Sequence, residues 1–415
     1  MSEKQKKTKN APDLTLFSKH RLIICIGPGG VGKTTCSAAL GLAAAKRGRK
    51  TLVCTLDPAH RLASALGLAN LPHHPKPLPA EHLQKSNLPT DLPLYAMQLD
   101  IQTAFNHSLR SGGLSEDGLR TLNKNKLYRR IVDDLEDVQA YAAVAQMLNL
   151  CRDEQWETII LDTPPTRHIH YLLKAPRMLI GAVKSPLFKY LLAPATFTGK
   201  VGMRIIGKQT VNNMAAITGM SFLEDIRAFI KIISKILDSL INDAQGAESL
   251  LTSRSTAYLI VTVPTLSRVK ESLSLARQLM ESKMNLAGFL VNKFHPIFPV
   301  DSSSLDEKKL TQQISSFFPE DERPSTADCQ EAARALLKSH TAYTNLVEEE
   351  ARVLQKLYQE SKTNPFLLTV PLLSQDLSFL VDVLEISDKI TNQLQRQSQE
   401  RVSRKQPQKK TKHKK

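Results

Sequence analysis

The residues best suited to chemistry lie in a glycine-rich segment, GPGGVGKTT, at residues 27–35. It fits the pattern G-x-x-x-x-G-K-[ST], between an apolar run and a small-residue helical pattern. Glycines leave backbone amides open to an anion at a helix start. A lysine adds positive charge beside the β- and γ-phosphates, and a threonine hydroxyl joins a Mg²⁺ shell. The segment therefore predicts a phosphate loop, with nucleotide-binding residues Gly27, Gly29, Gly30, Val31, Gly32, Lys33, Thr34 and Thr35, of which Lys33 is also a predicted catalytic residue.

Two aspartates follow apolar runs later in the chain. Asp57, in TLDPAHRLASALGL (55–68), is placed to orient or deprotonate an attacking water and to approach the metal; capping of the next helix is the alternative. Asp162, in IILDTPPTRH (159–168), has the position of the acid that holds Mg²⁺ through water. The predicted metal site is therefore Thr34, Asp57 and Asp162.

Two further segments are candidates to flank a purine base. Asn292, in LVNKFHP (290–296), can both donate and accept hydrogen bonds, which suits the edge of a purine, although a turn role is also open. Pro371 lies in TVPLL (369–373), where residues 370–372 are placed to pack against adenine. Together with the phosphate loop, these segments predict ATP as the substrate.

The elements that must position these residues alternate along the chain. Helical patterns separate short apolar runs, which indicates an α/β P-loop NTPase with a mostly parallel, doubly wound sheet. Ligands in such sheets bind at the carboxyl ends of the strands, where each of the motifs lies. The predicted strands are Leu22–Ile26, Thr51–Leu56, Leu94–Leu99, Thr158–Leu161, Tyr258–Val263, Ala287–Val291 and Phe366–Val370.

The predicted domain boundaries lie where the alternation of apolar runs and helical patterns is interrupted. We predict an ATPase core at 20–170 and 256–390, with a helical insertion at about 300–365. A helical subdomain is predicted at 171–255, where FLEDIRAFIKIISKILDSLI (222–241) has apolar residues at helical spacing. This subdomain either buries its own apolar stripe or forms an adaptable groove for a partner's hydrophobic segment.

Charge is concentrated at the two ends of the 415-residue chain, which has a net charge of +16 and 41% hydrophobic residues. The last fifteen residues, RVSRKQPQKKTKHKK, hold eight lysines or arginines and no acid. We predict basic disordered tails at 1–19 and 391–415. They are either solvated ends or contacts for anionic lipid or nucleic acid.

The five cysteines are scattered, and no C-x-x-C pair is present. This pattern predicts no zinc site and no disulfide framework, and it favours a reducing compartment. The N-terminus lacks an apolar signal core, and no apolar run reaches the ~20 residues of a membrane span. The expected location is cytoplasmic, with peripheral contact at a membrane as an option.

These motifs, in this order, resemble the ArsA/guided-entry ATPase family, which includes the arsenite-pump and tail-anchored-protein targeting ATPases. The resemblance covers about residues 20–390 and is closest to the single-module bacterial type. It implies Mg-ATP hydrolysis and a dimer, either a homodimer or a heterodimer with a paralogous ATPase. It also implies a helical subdomain that moves with nucleotide state and acts on a membrane-protein client or a pump. The matching segments are GPGGVGKTT, LDPAHRLASALG, LYAMQLD, DTPPTRH, VTVP, VNKFHP and VPLL.

Two departures from the family pattern bear on the chemistry. The family usually has a signature lysine where Pro28 stands; that lysine crosses the dimer interface to the partner's phosphates. Arg167 stands where the family often has glycine, so Arg167 or Arg61 is the candidate replacement for the missing charge, and Arg167 is a predicted catalytic residue. The zinc-binding and metalloid-binding cysteines of the family have no counterpart, which argues against zinc and against arsenite stimulation.

Three functions remain open from the sequence. The first is an ATPase that couples turnover to movement of the helical subdomain, in membrane-protein targeting. The second is the ATPase subunit of an anion efflux pump of the arsenite type. The third is a nucleotide switch of the ParA/MinD kind, with basic tails that grip a nucleoid or a bilayer.

Overall fold

The computed structural model describes residues 15–57, 59–125, 128–129, 136–164, 169–185, 229, 231–297, 306–361, 365–373 and 380–405. Its strands are β1 (Leu22–Ile26), β2 (Thr51–Thr55), β3 (Lys76–Pro77), β4 (Leu94–Gln98), β5 (Thr158–Asp162), β6 (Thr256–Thr262), β7 (Leu286–Phe294) and β8 (Phe366–Pro371). The first seven helices are α1 (Thr15–Lys19), α2 (Lys33–Ala45), α3 (Arg61–Ala65), α4 (Ala80–Lys85), α5 (Ile101–Ser111), α6 (Glu116–Lys124) and α7 (Glu136–Arg152). The later helices are α8 (Ile169–Lys184), α9 (Leu237–Thr252), α10 (Leu266–Glu281), α11 (Glu307–Ser316), α12 (Thr326–Glu360) and α13 (Leu380–Lys405).

The strands form one sheet in the order β3-β4-β2-β5-β1-β6-β7-β8. All neighbouring pairs are parallel except β3 with β4, at one edge. The central strands β1, β2, β5 and β6 are buried along their whole length, as their continuous apolar runs require in a sheet covered on both faces. The predicted α/β P-loop NTPase architecture is confirmed.

Each face of the sheet has its own apolar core, because successive side chains of a strand point to opposite faces. In β1, Ile23 and Cys25 pack with α1, α2, α3, α4 and α13, whereas Leu22, Ile24 and Ile26 pack with α7, α9, α10 and α12. Helix α2 is rich in alanine and almost entirely buried, so its backbone lies close to the sheet beneath the phosphate loop.

A third core forms away from the sheet, among helices α5, α6, α7, α8 and α9, and we call it the helical cluster. Its buried side chains include Phe105, Leu109, Tyr141, Leu240 and Ala244. Helices α5 to α7 therefore belong to it, although the predicted boundary assigns residues up to 170 to the ATPase core. Residues 186–228 of the predicted helical subdomain lie outside the described residues.

Both predicted tails contain ordered helix, so their boundaries need correction. Helix α1 lies within 1–19, and its Leu16 and Phe17 are buried in the core beside α2. Helix α13 continues through Lys405, where a disordered tail was predicted from residue 391. Leu394 is fully buried, so the apolar residues of α13 pack on the core even though most of its residues are polar. Residues 1–14 and 406–415 lie outside the described part of the chain.

Helix α13 also covers the edge of the sheet at β8. The side chain of Gln393 donates to the carbonyl oxygen of Thr369 at 2.6 Å and accepts from its amide at 2.8 Å. Gln397 makes the same pair of bonds with Leu367, at 2.5 and 3.2 Å. An edge strand otherwise exposes alternate amides and carbonyls to other chains. Two glutamines four residues apart on one helix therefore take the place of a further strand.

The predicted helical insertion forms the pair α11 and α12, which is tied to the end of β7. His295 donates its amide to Glu350 Oε2 at 2.9 Å, and its Nδ1 lies 2.7 Å from Glu350 Oε1. Tyr343 donates its hydroxyl to the carbonyl oxygen of Pro296 at 2.7 Å. Glu350 is buried, so these bonds fix the position of α12 relative to the sheet.

Candidate active site

The phosphate loop connects β1 to α2, at the centre of the sheet. Gly27 has a φ of 154°, and a Cβ there would overlap the carbonyl oxygen of Val261 in β6. Gly32 precedes α2 with a φ of 84°, and a Cβ there would overlap the side-chain amide of Asn292 in β7. Larger residues are thus excluded at both ends of the loop, by neighbouring strands as well as by backbone conformation.

Lys33 is the first residue of α2 and is buried beneath the loop. Its Nζ donates to the carbonyl oxygens of Gly27 at 3.0 Å and Pro28 at 2.9 Å. Burial lowers the pKa of Lys33, while the nearby carboxyl of Asp162 opposes that shift. The ammonium group therefore closes the loop on itself, and Lys33 lines the pocket at the end of the sheet.

Asp162 ends β5 and is fully buried. Its Oδ2 accepts from the hydroxyls of Thr34 at 2.8 Å and Thr55 at 3.1 Å, and its Oδ1 lies 3.4 Å from Ser37 Oγ. Burial raises the pKa of Asp162 to about 6, although the threonine hydroxyls and Lys33 favour the charged form. Thr55 and Ser37 were not among the predicted site residues, and their polar positions at a strand end and on the loop-facing helix were the available signal.

The donor set at Thr34 and Asp162 fits Mg²⁺. A hydroxyl and a carboxylate that already contact each other are oxygen ligands of the kind this hard cation takes, with water and phosphate oxygens completing its shell. Asp57 follows β2, the strand that pairs directly with β5. Within the described ranges, no group of three or more His, Cys, Asp or Glu side chains is arranged to hold a metal ion.

Asp57 makes local contacts at the start of α3. Its amide donates to Thr55 Oγ1 at 3.0 Å, and its Oδ1 accepts from the amide of Ala59 at 3.0 Å. Arg61 Nη1 lies 3.6 Å from Asp57 Oδ2. The carboxylate therefore supports its own turn, and its other oxygen faces a cation. It does not cap α3, because the N-cap residue of that helix is His60 and no side chain bonds to the helix start. Arg167, the other predicted catalytic residue, lies outside the described residues, as does Pro58.

These groups surround a pocket of ≈450 Å³ at the carboxyl ends of the strands. Of the predicted residues, Gly30, Gly32, Lys33, Thr34, Thr35 and Asp57 line it. Thr163 and Pro164, from the segment after Asp162 that is expected to sense the third phosphate, also line it. The site prediction did not include the remaining lining residues Ala59, His60, Ser64, Ala65 and Val383. Val383 belongs to α13 and lies more than three hundred residues beyond the loop. A contact between such distant segments depends on the packing of α13 on α2, which no local motif encodes.

The residues predicted to flank the base lie near the carboxyl ends of β7 and β8. Asn292 is buried within β7, and its Nδ2 donates to the carbonyl oxygen of Val31 at 2.9 Å. Its amide therefore braces the phosphate loop here. Pro371 ends β8, where the amide of the following residue, Leu372, donates to the carbonyl oxygen of Phe294 at 2.8 Å. Neither Asn292 nor Pro371 lines the pocket.

Three cysteines lie near the site but are buried in the sheet or in α2. Burial raises the pKa of Cys25 to about 12 and also raises the pKa values of Cys36 and Cys54. Thiolates, rather than thiols, ligate soft metals and metalloids. These three side chains therefore remain neutral core residues at ordinary pH.

A parallel sheet with a phosphate loop at its central strand, and aspartates at the ends of β2 and β5, defines a P-loop nucleoside triphosphatase. The chain belongs to the anion-transporting ATPase family of the ArsA type, whose model matches residues 20–318. It is thus a member of a family of ATPases.

Curated relatives carry ATPase names. The chain is 28% identical over 286 residues to ATPase ARSA1 of Chlamydomonas reinhardtii, which covers 64% of this chain but only 34% of that protein. It is 25% identical to ATPase GET3B of Arabidopsis thaliana, covering 71% of this chain and 69% of the relative. It is also 25% identical to the ATPase ASNA1 homolog of Plasmodium vivax, covering 68% and 64%. The chain spans about a third of the algal relative, so whole-protein roles do not transfer directly.

A search of the described helices for membrane spans found none with the length and apolar character needed to cross a bilayer.

Proposed function

We propose that this protein hydrolyses Mg-ATP and uses the reaction to move its helical cluster, in the service of membrane-protein targeting. The observation that carries the proposal is that Lys33, Thr34 and Asp57 line one pocket and that Asp162 accepts a hydrogen bond from Thr34, although the four residues come from three separate segments. The pocket lies where parallel sheets bind ligands. Acid, cation and hydroxyl groups are what a terminal phosphate and its metal require.

Each group has a proposed role in phosphoryl transfer to water. Mg²⁺, when bound, would neutralise charge on the β- and γ-phosphates. Lys33 would exchange its loop carbonyls for phosphate oxygens. Thr34 and Asp162 would hold the metal, Asp162 through water, and Asp57 would orient the attacking water. Glycine amides at residues 29–32 would contact the phosphates without charge of their own.

The covalent path from the pocket to the helical cluster supports the proposed coupling. Helix α7 contributes Tyr141 to the helical cluster and Met147 to the core of the sheet, and it leads into β5, which ends at Asp162. Helix α8 follows that aspartate within a few residues and contributes Ala175 to the cluster. A shift of the segment after Asp162 on phosphate loss would therefore act on α8 directly.

Membrane-protein targeting is the client role best supported by the resemblance to guided-entry ATPases and by the names of relatives such as GET3B. A pump role is the second candidate, because the matching family is described as anion-transporting. The buried, neutral thiols near the site weigh against a metalloid effector for such a pump. The ParA/MinD-like switch depends on the basic ends, of which residues 1–14 and 406–415 lie outside the described part of the chain.

The test is an ATPase assay on the full chain. Turnover should require Mg²⁺, should be lost in Asp57→Asn, and should change when a detergent-solubilised peptide with one apolar segment of ~20 residues is added. Arsenite should have no effect. Turnover that responds to arsenite and ignores the peptide would favour the pump, and no Mg-ATP turnover at all would overturn the proposal.

The proposed assembly is a dimer, formed with a second copy or with a paralogous ATPase. Its measurement is the mass in solution with ADP and with a non-hydrolysable ATP analogue. A mass that stays monomeric in both states, with the ATPase active, would refute a homodimer as the working form.

A further inference from the structure

Arg61 lies at the pocket but has no role in the reaction proposed above. It begins α3, lines the phosphate pocket and leaves 66% of its side chain exposed. Its Nη1 lies 3.6 Å from Oδ2 of Asp57, whose side chain is 18% exposed. An exposed cation is thus held over the pocket by the carboxylate that is proposed to orient water.

The two cations of the pocket differ in how firmly they are held, and this difference makes Arg61 the one available to a phosphate. Among the described residues, one lysine, Lys33, and one arginine, Arg61, line the pocket. Lys33 is buried and engaged with two loop carbonyls, whereas the guanidinium of Arg61 has, within the described part of the chain, one partly solvated ion pair. Exposed ion pairs are weak, so a polyphosphate can compete for the guanidinium. Guanidinium groups bind phosphate oxygens through two parallel hydrogen bonds.

We infer that Arg61 is a phosphate-contacting residue that exchanges partners when nucleotide binds, and this inference rests on the proposed function. In the free protein it pairs with Asp57. With ATP bound, its guanidinium moves to the terminal phosphate, which leaves the Asp57 carboxylate free to accept a hydrogen bond from water. ADP lacks the terminal phosphate, so with ADP the pair with Asp57 persists.

The exchange makes Arg61 a sensor of the third phosphate from within the same chain. The position follows from geometry: Asp57 and Arg61 are four residues apart, and both face the pocket. No second subunit is needed for this contact. The proposed role of Arg61 can therefore be tested independently of dimer formation, since Arg61 would act in a monomer.

The test compares affinities for ADP and for the β,γ-imido analogue of ATP, both with Mg²⁺, in the full chain. Arg61→Ala should weaken binding of the analogue by about 10- to 100-fold and of ADP by less than threefold. Arg61→Lys should recover part of the loss, because it keeps the charge but not the two-pronged geometry. Arg268→Ala is the matched control: it breaks an exposed pair with Glu271 on α10, outside the pocket residues, and should change neither affinity.

A double-mutant comparison separates phosphate contact from a purely structural role. Asp57→Asn should tighten analogue binding by about two- to fivefold, because binding then no longer requires the Arg61 guanidinium to break its ion pair with the Asp57 carboxylate. That gain should vanish when Arg61→Ala is added. An unchanged ratio of analogue to ADP affinity in Arg61→Ala, or a gain that survives its removal, would overturn the inference. If Lys33→Ala also kept its nucleotide affinity, the proposed function itself would fail, which is a distinguishable result.

Discussion

Around the phosphate loop, polar side chains hold one another through hydrogen bonds with defined partners, whereas the helical cluster is held by apolar side chains. Asp162 accepts bonds from Thr34 and Thr55 at fixed distances. In the helical cluster, Phe105 stacks near Tyr128 with ring centroids 6.0 Å apart, and alanines fill the space between helices. Directional bonds define one geometry, but apolar contacts permit small shifts between packed helices. The difference suggests that chemistry and movement are assigned to separate regions.

The sharpest test of the loop is Lys33→Ala, for which we expect the largest effect. It removes a buried ammonium group that has two carbonyl partners and faces the phosphates, so nucleotide binding should fall below detection. Calorimetry with ADP and the ATP analogue measures this. The apo protein should stay folded, because the helical cluster and both sheet cores are untouched. Tight binding in a folded Lys33→Ala protein would contradict the assignment of the loop.

Asp57→Asn should give the next largest effect. Loss of the group that orients or accepts a proton from water is expected to lower turnover by about 10²- to 10⁴-fold. Binding should persist, because the amide can still accept from the amide of Ala59. Single-turnover measurement with saturating Mg-ATP isolates this step. Parent-like turnover would leave Asp57 with only its turn-stabilising role.

Leu240→Ala tests the other half of the comparison. Leu240 is buried in the helical cluster, so a cavity there should lower the free energy of unfolding by about 2–5 kcal/mol. ADP affinity should stay within a factor of two, since no pocket residue contacts the change. Stimulation by an apolar peptide should weaken, because that readout depends on the helical cluster. Loss of ADP affinity comparable to the loss of stability would show that the two regions are not separate.

The sequence predicted those parts of the site that are local. Lys33 and Thr34 lie within one loop, and Asp57 and Asp162 each follow a strand-like run, so spacing and the edge rule for parallel sheets place them together. Thr55, Ser37 and Val383 escaped prediction. Thr55 and Ser37 join the site through contacts with Asp162, and Thr55 also accepts from the amide of Asp57. Val383 reaches the pocket through the packing of a helix near the end of the chain.

The composition of α13 predicts a disordered tail from residue 391, and this prediction is wrong for a physical reason. Its polar and basic residues are typical of a disordered tail, yet Gln393 and Gln397 satisfy the backbone of β8. A glutamine that pairs with an edge strand cannot be told from a solvated glutamine by type alone. The boundary of the helical cluster was missed for a related reason: α5 to α7 have ordinary helical patterns, and only packing shows which core they join.

Asp162→Asn gives a smaller effect that depends on pH. Because burial raises its pKa from 3.8 to about 6, the folded protein binds this proton more tightly than the unfolded chain does. The stabilising contribution of this group is therefore full at low pH and is lost as the pH rises from about 4 through 6. The unfolding free energy of Asp162→Asn relative to the parent should increase by about 2 kcal/mol between pH 4.5 and 7.5.

Denaturant titrations of the two apo proteins across that range provide the measurement. Asp162→Asn should also lose the Mg²⁺ dependence of nucleotide binding. In the parent, Mg²⁺-dependent affinity should decline as the pH falls through about 6, where the carboxylate takes up its proton. A difference in stability that is the same at every pH would mean that Asp162 is not the group with the raised pKa.

The smallest effect is expected at the edge of the sheet, far from the chemistry. Replacing Gln393 and Gln397 together by alanine removes four hydrogen bonds to the backbone of β8 and one from the Thr369 hydroxyl. The freed groups can turn to water, so the loss of stability should be about 1–3 kcal/mol. Nucleotide affinity should not change. Because the uncovered edge can pair with another chain, self-association measured by sedimentation should rise with concentration. Removal of residues 406–415 is the matched control, since these follow α13, and it should alter neither stability nor association. If that deletion destabilised the protein as much as the glutamine changes did, the stabilising role assigned to the two glutamines would be wrong.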